Sequence, residues 1–184
     1  ASARLDIMAS FERDPACDKY LIPLLYFKGF QAMQLHRVAH WYWCNNRTAL
    51  ALFLQNQVAE VFAVDIHPGA RIGSGIMIDH ATGLVVGETA IIGENVSILH
   101  SVTLGGIGSG EGDRHPEVGS GVMISAGAKI MGNVKIGDGV KVGAGSLVIE
   151  SIPPHTTVVG VPARIVGAPL EGSPSFEMNQ NLDV

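Results

Sequence analysis

The chain has 184 residues, of which 47% are hydrophobic, and its 12 Lys and Arg against 17 Asp and Glu give a net charge of −5. So few basic residues exclude a basic nucleic-acid-binding surface, and the sequence has no apolar run of the about 18 residues that a membrane span needs. Two cysteines without metal-ligand spacing and no visible signal peptide predict a cytoplasmic protein. The apolar excess predicts a full core and a subunit interface.

Both ends of the chain lie outside a central repeat. We interpret residues 1–64 as a partial α-helical domain, in which residues 1–12 carry an apolar helical face. Pro15 ends that helix because proline disfavours the α conformation of the preceding Asp14. The residues alone therefore predict a turn or capping role for Asp14. Residues 168–184 contain no Lys or Arg, and they predict a disordered tail.

Apolar residues at helical spacing predict two further helices, from Pro23 to Trp43 and from Thr48 to Phe62. The second is apolar nearly all round, so we expect it to be buried against neighbouring helices or subunits. In the first, His36 and His40 are four residues apart, a spacing at which two histidines can share a metal. We interpret them as packing residues rather than as a metal pair.

An aliphatic residue returns at almost every sixth position of the central repeat, and glycine or asparagine follows three residues later. The aliphatic positions are Ile66, Ile72, Ile78, Leu84, Ala90, Val96, Val102, Val118, Ile124, Ile130, Ile136, Val142 and Val148. This period fits neither an amphipathic helix nor a hairpin strand, and it is typical of a parallel β-helix. Three hexads make one coil, and about four to five coils form a triangular prism over residues 65–167. The general crossover rule predicts a right-handed prism.

The repeat is interrupted between Val102 and Val118, which are sixteen residues apart instead of six. We predict that about ten extra residues leave the coil in a loop excursion at 103–117. This loop carries Arg114 and His115 after a run of glycines, and long loops are where binding residues concentrate. The excursion is therefore a candidate binding loop.

Polar residues that violate the repeat are the candidates for chemistry, because a prism of aliphatic strands is only a scaffold. Asp65 stands at the entrance of the prism, and Asp79 and His80 directly follow the inward-facing Ile78. An acid beside an imidazole suits proton transfer near neutral pH.

Seven short motifs lie along residues 10–167. They are Arg13-Asp-Pro-Ala16, Leu54-Gln-Asn-Gln57, Val64-Asp-Ile-His-Pro68, Asp79-His-Ala-Thr-Gly83, Val102-Thr-Leu-Gly-Gly106, Gly112-Asp-Arg-His-Pro116 and Gly160-Val-Pro-Ala-Arg164. Together they resemble the bacterial serine O-acetyltransferases, which are hexapeptide-repeat acyltransferases. The resemblance implies a mainly β fold, namely a left-handed parallel β-helix preceded by a short α-helical segment. It also implies transfer of acetyl from acetyl-CoA to L-serine, giving O-acetyl-L-serine for cysteine biosynthesis.

The resemblance further assigns roles to residues. His80 matches the general base that deprotonates the serine hydroxyl, and Asp65 matches the carboxylate that orients it. The remaining site residues are Asp14 and Asp79 for the substrate ammonium group and Arg114 and His115 for its carboxylate, with His115 also counted as catalytic.

Acetyl-CoA is expected along the outer groove between two prisms. The resemblance gives Gly106, Ala126 and Ala144 as small residues beside the pantetheine amides, and Arg164 as a contact to a CoA phosphate. Neither cysteine lies in a motif, so we expect direct transfer from the thioester to the hydroxyl rather than a thiol acyl-enzyme. No metal is expected.

The family builds its sites between neighbouring subunits of a trimer and pairs its trimers through an N-terminal helical domain. This chain matches only part of that domain, so we expect a homotrimer and leave a dimer of trimers open. L-Cysteine is expected as a feedback inhibitor because it differs from L-serine by one atom. In the family a C-terminal Ile inserts into O-acetylserine sulfhydrylase; this chain ends in Val184, which argues against that complex.

Three other interpretations stay open. The same prism carries the three-histidine zinc site of γ-class carbonic anhydrases, and His80 and His115 are candidates for two such ligands. A second interpretation is acetylation of another acceptor, such as homoserine or a sugar. A third is a non-catalytic trimeric scaffold, which predicts that His80→Ala changes no measurable property.

Overall fold

A helical segment precedes a parallel β-helix in the computed structural model, which describes residues 1–108, 112–169 and 172–182. The fold class expected from the hexad repeat is thereby confirmed, and the left-handed winding stays a prediction of the resemblance. One of the three sheets contains five parallel strands, one from each coil.

The helices are α1 (Ser2–Arg13), α2 (Leu21–Tyr26), α3 (Lys28–Cys44) and α4 (Thr48–Phe62). The helix predicted from Pro23 to Trp43 is thus two helices, because Phe27 has an extended backbone with φ −88° and ψ 104°. The helical spacing of apolar residues does not reveal that a helix is interrupted at a single residue when the spacing continues on both sides of that residue. Among the described residues, no helix combines the length and hydrophobicity needed to cross a bilayer.

The apolar helix α4 is only partly buried within one protomer. Ala51 and Val58 lie in the core, whereas Phe53 is 56% exposed and Val61 is 68% exposed. The expectation that this helix is buried by neighbouring helices is therefore not met inside the protomer. Burial of its exposed side chains by a neighbouring subunit stays a prediction.

Three sheets form the sides of the prism. Sheet 1 contains β1 (Val64–Ile66), β4 (Leu84–Val86), β7 (Thr103–Gly105), β10 (Lys129–Met131) and β13 (Leu147–Val148). Sheet 2 contains β2 (Arg71–Ile72), β5 (Ile91–Ile92), β8 (Glu117–Val118) and β11 (Lys135–Ile136). Sheet 3 contains β3 (Met77–Ile78), β6 (Ser97–Ile98), β9 (Met123–Ile124), β12 (Lys141–Val142), β14 (Thr157–Gly160) and the antiparallel β15 (Ala163–Gly167).

Two edges of the prism carry most of the candidate site residues. The turns that lead from sheet 3 to sheet 1 form the His80 edge, which contains Asp79, His80, His100, Ala126 and Ala144. The turns that lead from sheet 1 to sheet 2 form the His115 edge, which contains His67, Gly87, Glu88, Gly106, Arg114 and His115. Sheet 1 lies between these two edges.

The aliphatic positions of the repeat face the inside of the prism, as predicted. Ile66 is 3% exposed, Ile130 is fully buried and Val148 is 1% exposed, while Ile72 in the first coil is partly exposed. The stacked aliphatic side chains thus form one continuous core.

Strand pairing reveals a two-residue insertion that the hexad count hides. Ile66 pairs with Val86, 20 residues later, whereas Val86 pairs with Leu104 at the regular distance of 18. The extra residues lie in the turn from β3 to β4, which contains His80. Side chains alternate across a strand, so residues two positions apart, such as Leu84 and Val86, face the same side. The six-residue spacing of aliphatic residues in the sequence therefore shows no break at the insertion.

The predicted limits of the loop excursion are wrong, because the two-residue insertion in the His80 turn shifts the count of six-residue repeats that precedes the loop. Leu104 pairs with Ile130, 26 residues later, so the excursion adds eight residues to a regular coil of 18 rather than ten. Residues 103–105 belong to β7 and Glu117 begins β8, which leaves 106–116 outside the strands. Part of the glycine run, residues 109–111, lies outside the described residues.

The described part of the tail is packed rather than disordered. It forms a short helix, α5 (Pro174–Glu177), and the Asn181 carbonyl accepts a hydrogen bond from Lys141 Nζ at 2.6 Å. The tail covers outward side chains of sheet 3, so Ser97 is fully buried and Lys141 is 2% exposed. Composition alone missed this docking. Val184, on which the sulfhydrylase expectation depends, lies outside the described residues.

Candidate active site

A cavity of about 520 Å³ opens at the His80 edge, between the helices and the prism. Helix α1 contributes Ser10 and its C-cap residue Asp14, the junction of α2 and α3 contributes residues 26–29, and the prism contributes residues 77–80. The cavity therefore brings together Asp14, Asp79 and His80, which the resemblance assigns to one site.

The inserted turn presents the imidazole of His80 to solvent. His80 and Ala81 both have left-handed backbones, with φ of 56° and 62°. The turn is closed by hydrogen bonds from Ala81 N to Asp79 O at 2.6 Å and from Gly83 N to Ala63 O at 2.7 Å. The His80 side chain is 73% exposed, and its Nε2 lies 3.8 Å from Asp79 Oδ2. An accessible imidazole of this kind can accept a proton from a bound hydroxyl group.

Asp14 combines the predicted capping role with a place in the cavity. It is the C-cap residue of α1, and its Oδ1 accepts a hydrogen bond from Ala16 N at 2.8 Å. The preceding Arg13 is buried and donates to Ser97 Oγ at 3.0 Å, with its guanidinium 4.4 Å from the Phe176 ring centroid. Burial lowers the pKa of Arg13 to about 10. These contacts fix the end of α1 against sheet 3.

His115 is held firmly at the other edge. It is 8% exposed, its Nδ1 accepts a hydrogen bond from Thr89 N at 3.2 Å, and its ring lies where a side chain at Gly87 would otherwise be. Burial, and then the neighbouring Arg114, lower the pKa of His115. Arg114 Nη2 lies 3.7 Å from Glu88 Oε2. The edge thus offers one guanidinium and one imidazole of lowered basicity.

Asp65 points outward from sheet 1, between the two edges. Its Oδ1 accepts a hydrogen bond from Gln55 Nε2 at 2.6 Å. The described contacts of the His80 ring are with Asp79 and His100, whose ring centroid is 5.7 Å away. The structure therefore does not place Asp65 against His80 within one protomer.

The residues expected to contact CoA are also divided between the edges. Ala126 and Ala144 lie on the His80 edge, where Gly127 N donates to His100 O at 2.9 Å and Gly145 N donates to Ala126 O at 2.8 Å. Three coils separate His80 from Ala144, which is about 14 Å at the spacing of paired strands. Gly106 lies on the His115 edge. Arg164 lies on β15, where its Nη1 donates to Ala163 O at 2.9 Å.

Within the described residues, no group of three or more His, Cys, Asp or Glu side chains is arranged to hold a metal ion. His80 and His115, the candidate zinc ligands, lie on different edges of the protomer. His36 is buried, and burial followed by the charge of nearby His40 lowers its pKa to about 3.

Two residues of the cavity wall, Lys28 and Gly29, were missed by sequence reasoning. A signal existed, because Gly29 is one of only two among the 23 glycines that lie outside residues 66–167. A glycine inside an apolar helical pattern often marks a close contact of the backbone with a neighbouring element. Gly29 has such a contact, with the carbonyl of Ile78.

Two family models match the chain. The model described as "Serine acetyltransferase, N-terminal" matches residues 1–35, and the model described as "Bacterial transferase hexapeptide (six repeats)" matches residues 115–150. A serine acetyltransferase of Escherichia coli K12 is 62% identical over 183 residues, which covers 100% of this chain and 67% of the relative.

Three similar solved structures hold ligands. A serine acetyltransferase in complex with cysteine has a TM-score of 0.96 and 55% identity, covering 98% of this chain and 70% of the other. Soybean serine acetyltransferase complexed with serine has a TM-score of 0.87 and 63% identity, covering 90% and 68%. The Brucella abortus serine acetyltransferase in complex with coenzyme A has a TM-score of 0.89 and 55% identity, covering 91% and 67%.

Proposed function

The chain belongs to the serine acetyltransferase family, and on that basis we propose that it transfers acetyl from acetyl-CoA directly to the hydroxyl of L-serine, with His80 as general base. The observation that carries this proposal is the meeting of Asp14, Asp79 and His80 in one cavity. The cavity thus combines a proton acceptor with two carboxylates for an ammonium group.

The reaction needs one proton acceptor. The serine hydroxyl oxygen attacks the thioester carbonyl carbon while His80 takes the hydroxyl proton. The tetrahedral intermediate then collapses, the carbon–sulfur bond breaks, and the departing CoA thiolate takes the proton from the His80 imidazolium. The products are O-acetyl-L-serine and CoA. Cys17 is buried and burial raises its pKa, so it is a poor nucleophile, which favours direct transfer.

The two edges supply complementary halves of the substrate site. On the His80 edge, Asp14 and Asp79 bind the ammonium group of L-serine. On the His115 edge, Arg114 and His115 bind its carboxylate, with Arg114 supplying the charge and His115 a directed hydrogen bond. One protomer holds these halves on opposite sides of sheet 1, so the complete site requires a neighbouring copy.

A homotrimer satisfies this requirement, with the His80 edge of each subunit against the His115 edge of the next. Asp65 faces outward from the intervening sheet, where it can accept the ring N–H of His80 across the interface and fix its tautomer. Val85 on the same sheet is 38% exposed, and Phe53 and Val61 of α4 offer further apolar surface for the contact.

Acetyl-CoA lies along the His80 edge in this proposal. The coils that carry Ala126 and Ala144 present small side chains beside their backbone groups, which suits hydrogen bonding to the pantetheine amides. The about 14 Å from His80 to Ala144 matches an extended arm of that kind. Gly106 of the neighbouring subunit forms the facing wall, and Arg164 binds a CoA phosphate.

L-Cysteine fits the same substrate contacts, because its ammonium and carboxylate groups are those of L-serine. A related enzyme has been solved in complex with cysteine, which supports L-cysteine as an inhibitor of this chain. The product carries acetate as a leaving group on the serine β-carbon, so a sulfur nucleophile can displace it. We accordingly place the reaction in cysteine biosynthesis.

The test is a CoA-release assay with acetyl-CoA and L-serine, homoserine or an amino sugar as acceptor. L-Serine should be the preferred acceptor, and His80→Ala should lower kcat by about 10² to 10⁴, the usual contribution of a general base. His155→Ala is the matched control, because His155 also has a left-handed backbone (φ 53°) but lies in the turn before β14, away from the cavity. Absence of turnover with L-serine in the unmodified protein would refute the proposal.

A further inference from the structure

The first turn of α3 presses directly on the strand that leads into His80. A Cβ atom added at Gly29 would lie 2.1 Å from the Ile78 carbonyl oxygen and 3.0 Å from its carbonyl carbon. Contacts below about 3 Å are not tolerated against backbone atoms, so only glycine permits this approach. Ile78 is the residue immediately before Asp79. Helix α3 therefore lies in direct backbone contact with the strand end from which the His80 turn begins.

The neighbouring residue of α3 reaches the far side of the same turn. Lys28 Nζ donates a hydrogen bond to Thr82 Oγ1, and Thr82 Oγ1 donates to the His80 carbonyl oxygen at 3.4 Å. The Thr82 hydroxyl thus accepts a hydrogen bond from Lys28 and donates its single proton to the His80 carbonyl oxygen. Two consecutive hydrogen bonds connect α3 to the backbone of His80.

The turn needs such support because its backbone conformation is unfavourable. His80 and Ala81 are consecutive non-glycine residues in the left-handed region, where each residue carries a conformational cost. Such conformations persist only where the surroundings over-determine them. The insertion also takes these residues out of the regular strand pairing that holds the rest of the coil. Phe27 interrupts the helix just before Lys28, which places Lys28 and Gly29 in the first turn of α3.

We propose that Lys28 and Gly29 are positioning residues, which hold the Asp79–Gly83 turn so that the His80 imidazole stands correctly in the cavity. The inference rests on the proposed role of His80 as the base. It assigns to the helical segment a part in catalysis that is separate from substrate contact. Lys28 acts through Thr82, and Gly29 acts through Ile78.

The kinetic test separates positioning from binding. Lys28→Met and Thr82→Val should each lower kcat about three- to tenfold, the loss expected for one hydrogen bond, with the KM for acetyl-CoA unchanged. The double variant should be no worse than either single variant, because both changes break the same connection. Lys28→Arg, which keeps a donor, should retain most of the activity. Gly29→Ala should lower kcat more than tenfold because the added methyl group displaces backbone.

Two control variants match these changes. Lys135→Met removes a lysine that pairs with Glu117 at 3.0 Å on sheet 2, and Gly167→Ala adds a methyl group where no atom lies within 4 Å. Both should keep the kcat of the unmodified protein. Thermal melting of every variant identifies any loss that comes from unfolding.

A spectroscopic readout keeps the inference testable without turnover. In ¹H–¹⁵N spectra of the histidine rings, the His80 signal, assigned by its loss in His80→Ala, should shift in Lys28→Met and Thr82→Val but not in Lys135→Met. An unshifted signal with unchanged kcat would overturn the inference. So would a rise in the KM for L-serine at unchanged kcat, which would mark Lys28 as a substrate contact. Inactivity of the unmodified protein contradicts the proposed function instead.

Discussion

Each of the two edges of the prism contains an insertion into a regular coil, but the two insertions leave their histidines with different exposure. At the His80 edge two extra residues make a tight left-handed turn, and the His80 side chain is 73% exposed. At the His115 edge the insertion adds eight residues, and His115 is 8% exposed and accepts a hydrogen bond from Thr89 N. A base must be accessible to exchange a proton, whereas a binding group gains from being fixed in advance.

The edges also differ in what supports them. The His80 turn is held from outside the prism by α3, whereas His115 is held by Thr89 from the adjacent coil. Changes in the helical segment should therefore affect the His80 edge first. Changes in the excursion should affect L-serine binding and leave proton transfer intact.

Arg114→Gln should show the largest difference between the roles of the two edges. Loss of the guanidinium removes a charge-assisted contact to the substrate carboxylate, so the KM for L-serine should rise about ten- to a hundredfold. The value of kcat should change much less, in contrast to His80→Ala. Arg71→Gln, on the exposed side of sheet 2, is the control. Steady-state kinetics with varied L-serine give both constants, and an equal loss in kcat would contradict the assigned division of roles.

Acid should destabilise the helical segment around the buried His36. Burial, followed by nearby His40 and Arg37, lowers the pKa of His36 in α3 to about 3. The unfolded chain therefore binds a proton at pH values between 6.5 and 3 that the folded chain does not bind. The stability provided by the neutral ring is complete above pH 6.5 and is lost as the pH falls toward 3, by about 2 kcal/mol at pH 5.

Denaturant unfolding at pH 7 and pH 5 measures this effect. The free energy of unfolding should fall by that amount in the unmodified protein and by clearly less in His36→Gln. An equal fall in both proteins would show that other groups, among them His67, whose pKa burial also lowers, determine the acid response.

Sequence periodicity predicted the prism well because a core-facing aliphatic residue is required in every strand. The same property concealed the insertion at His80, since a shift of two residues leaves Val86 facing the core just as Leu84 does. The motifs predicted His80, Asp79 and Asp14 as site residues. Their meeting in one cavity depends on the approach of α1 to β3.

Contacts between distant parts of the chain account for the rest. The bond from Lys28 to Thr82 joins residues that are 54 positions apart, and the docking of Ser175 on Ser97 joins residues 78 apart. Propensity describes only neighbours along the chain, so it gave an unbroken helix across Phe27 and a disordered tail. A glycine within a helical pattern made Gly29 noticeable in the sequence. Only its close contact with the Ile78 carbonyl explains why glycine is needed there.

The central claim is that one site combines the His80 edge of one subunit with the His115 edge of the next. Mixed trimers test it most directly, formed by co-expressing a His80→Ala chain with a chain that carries both Arg114→Gln and His115→Ala. Each variant alone should be nearly inactive at low L-serine. At equal amounts about one interface in four should be intact, restoring about a quarter of the normal activity. Activity no higher than the sum of the separate variants would contradict the shared site.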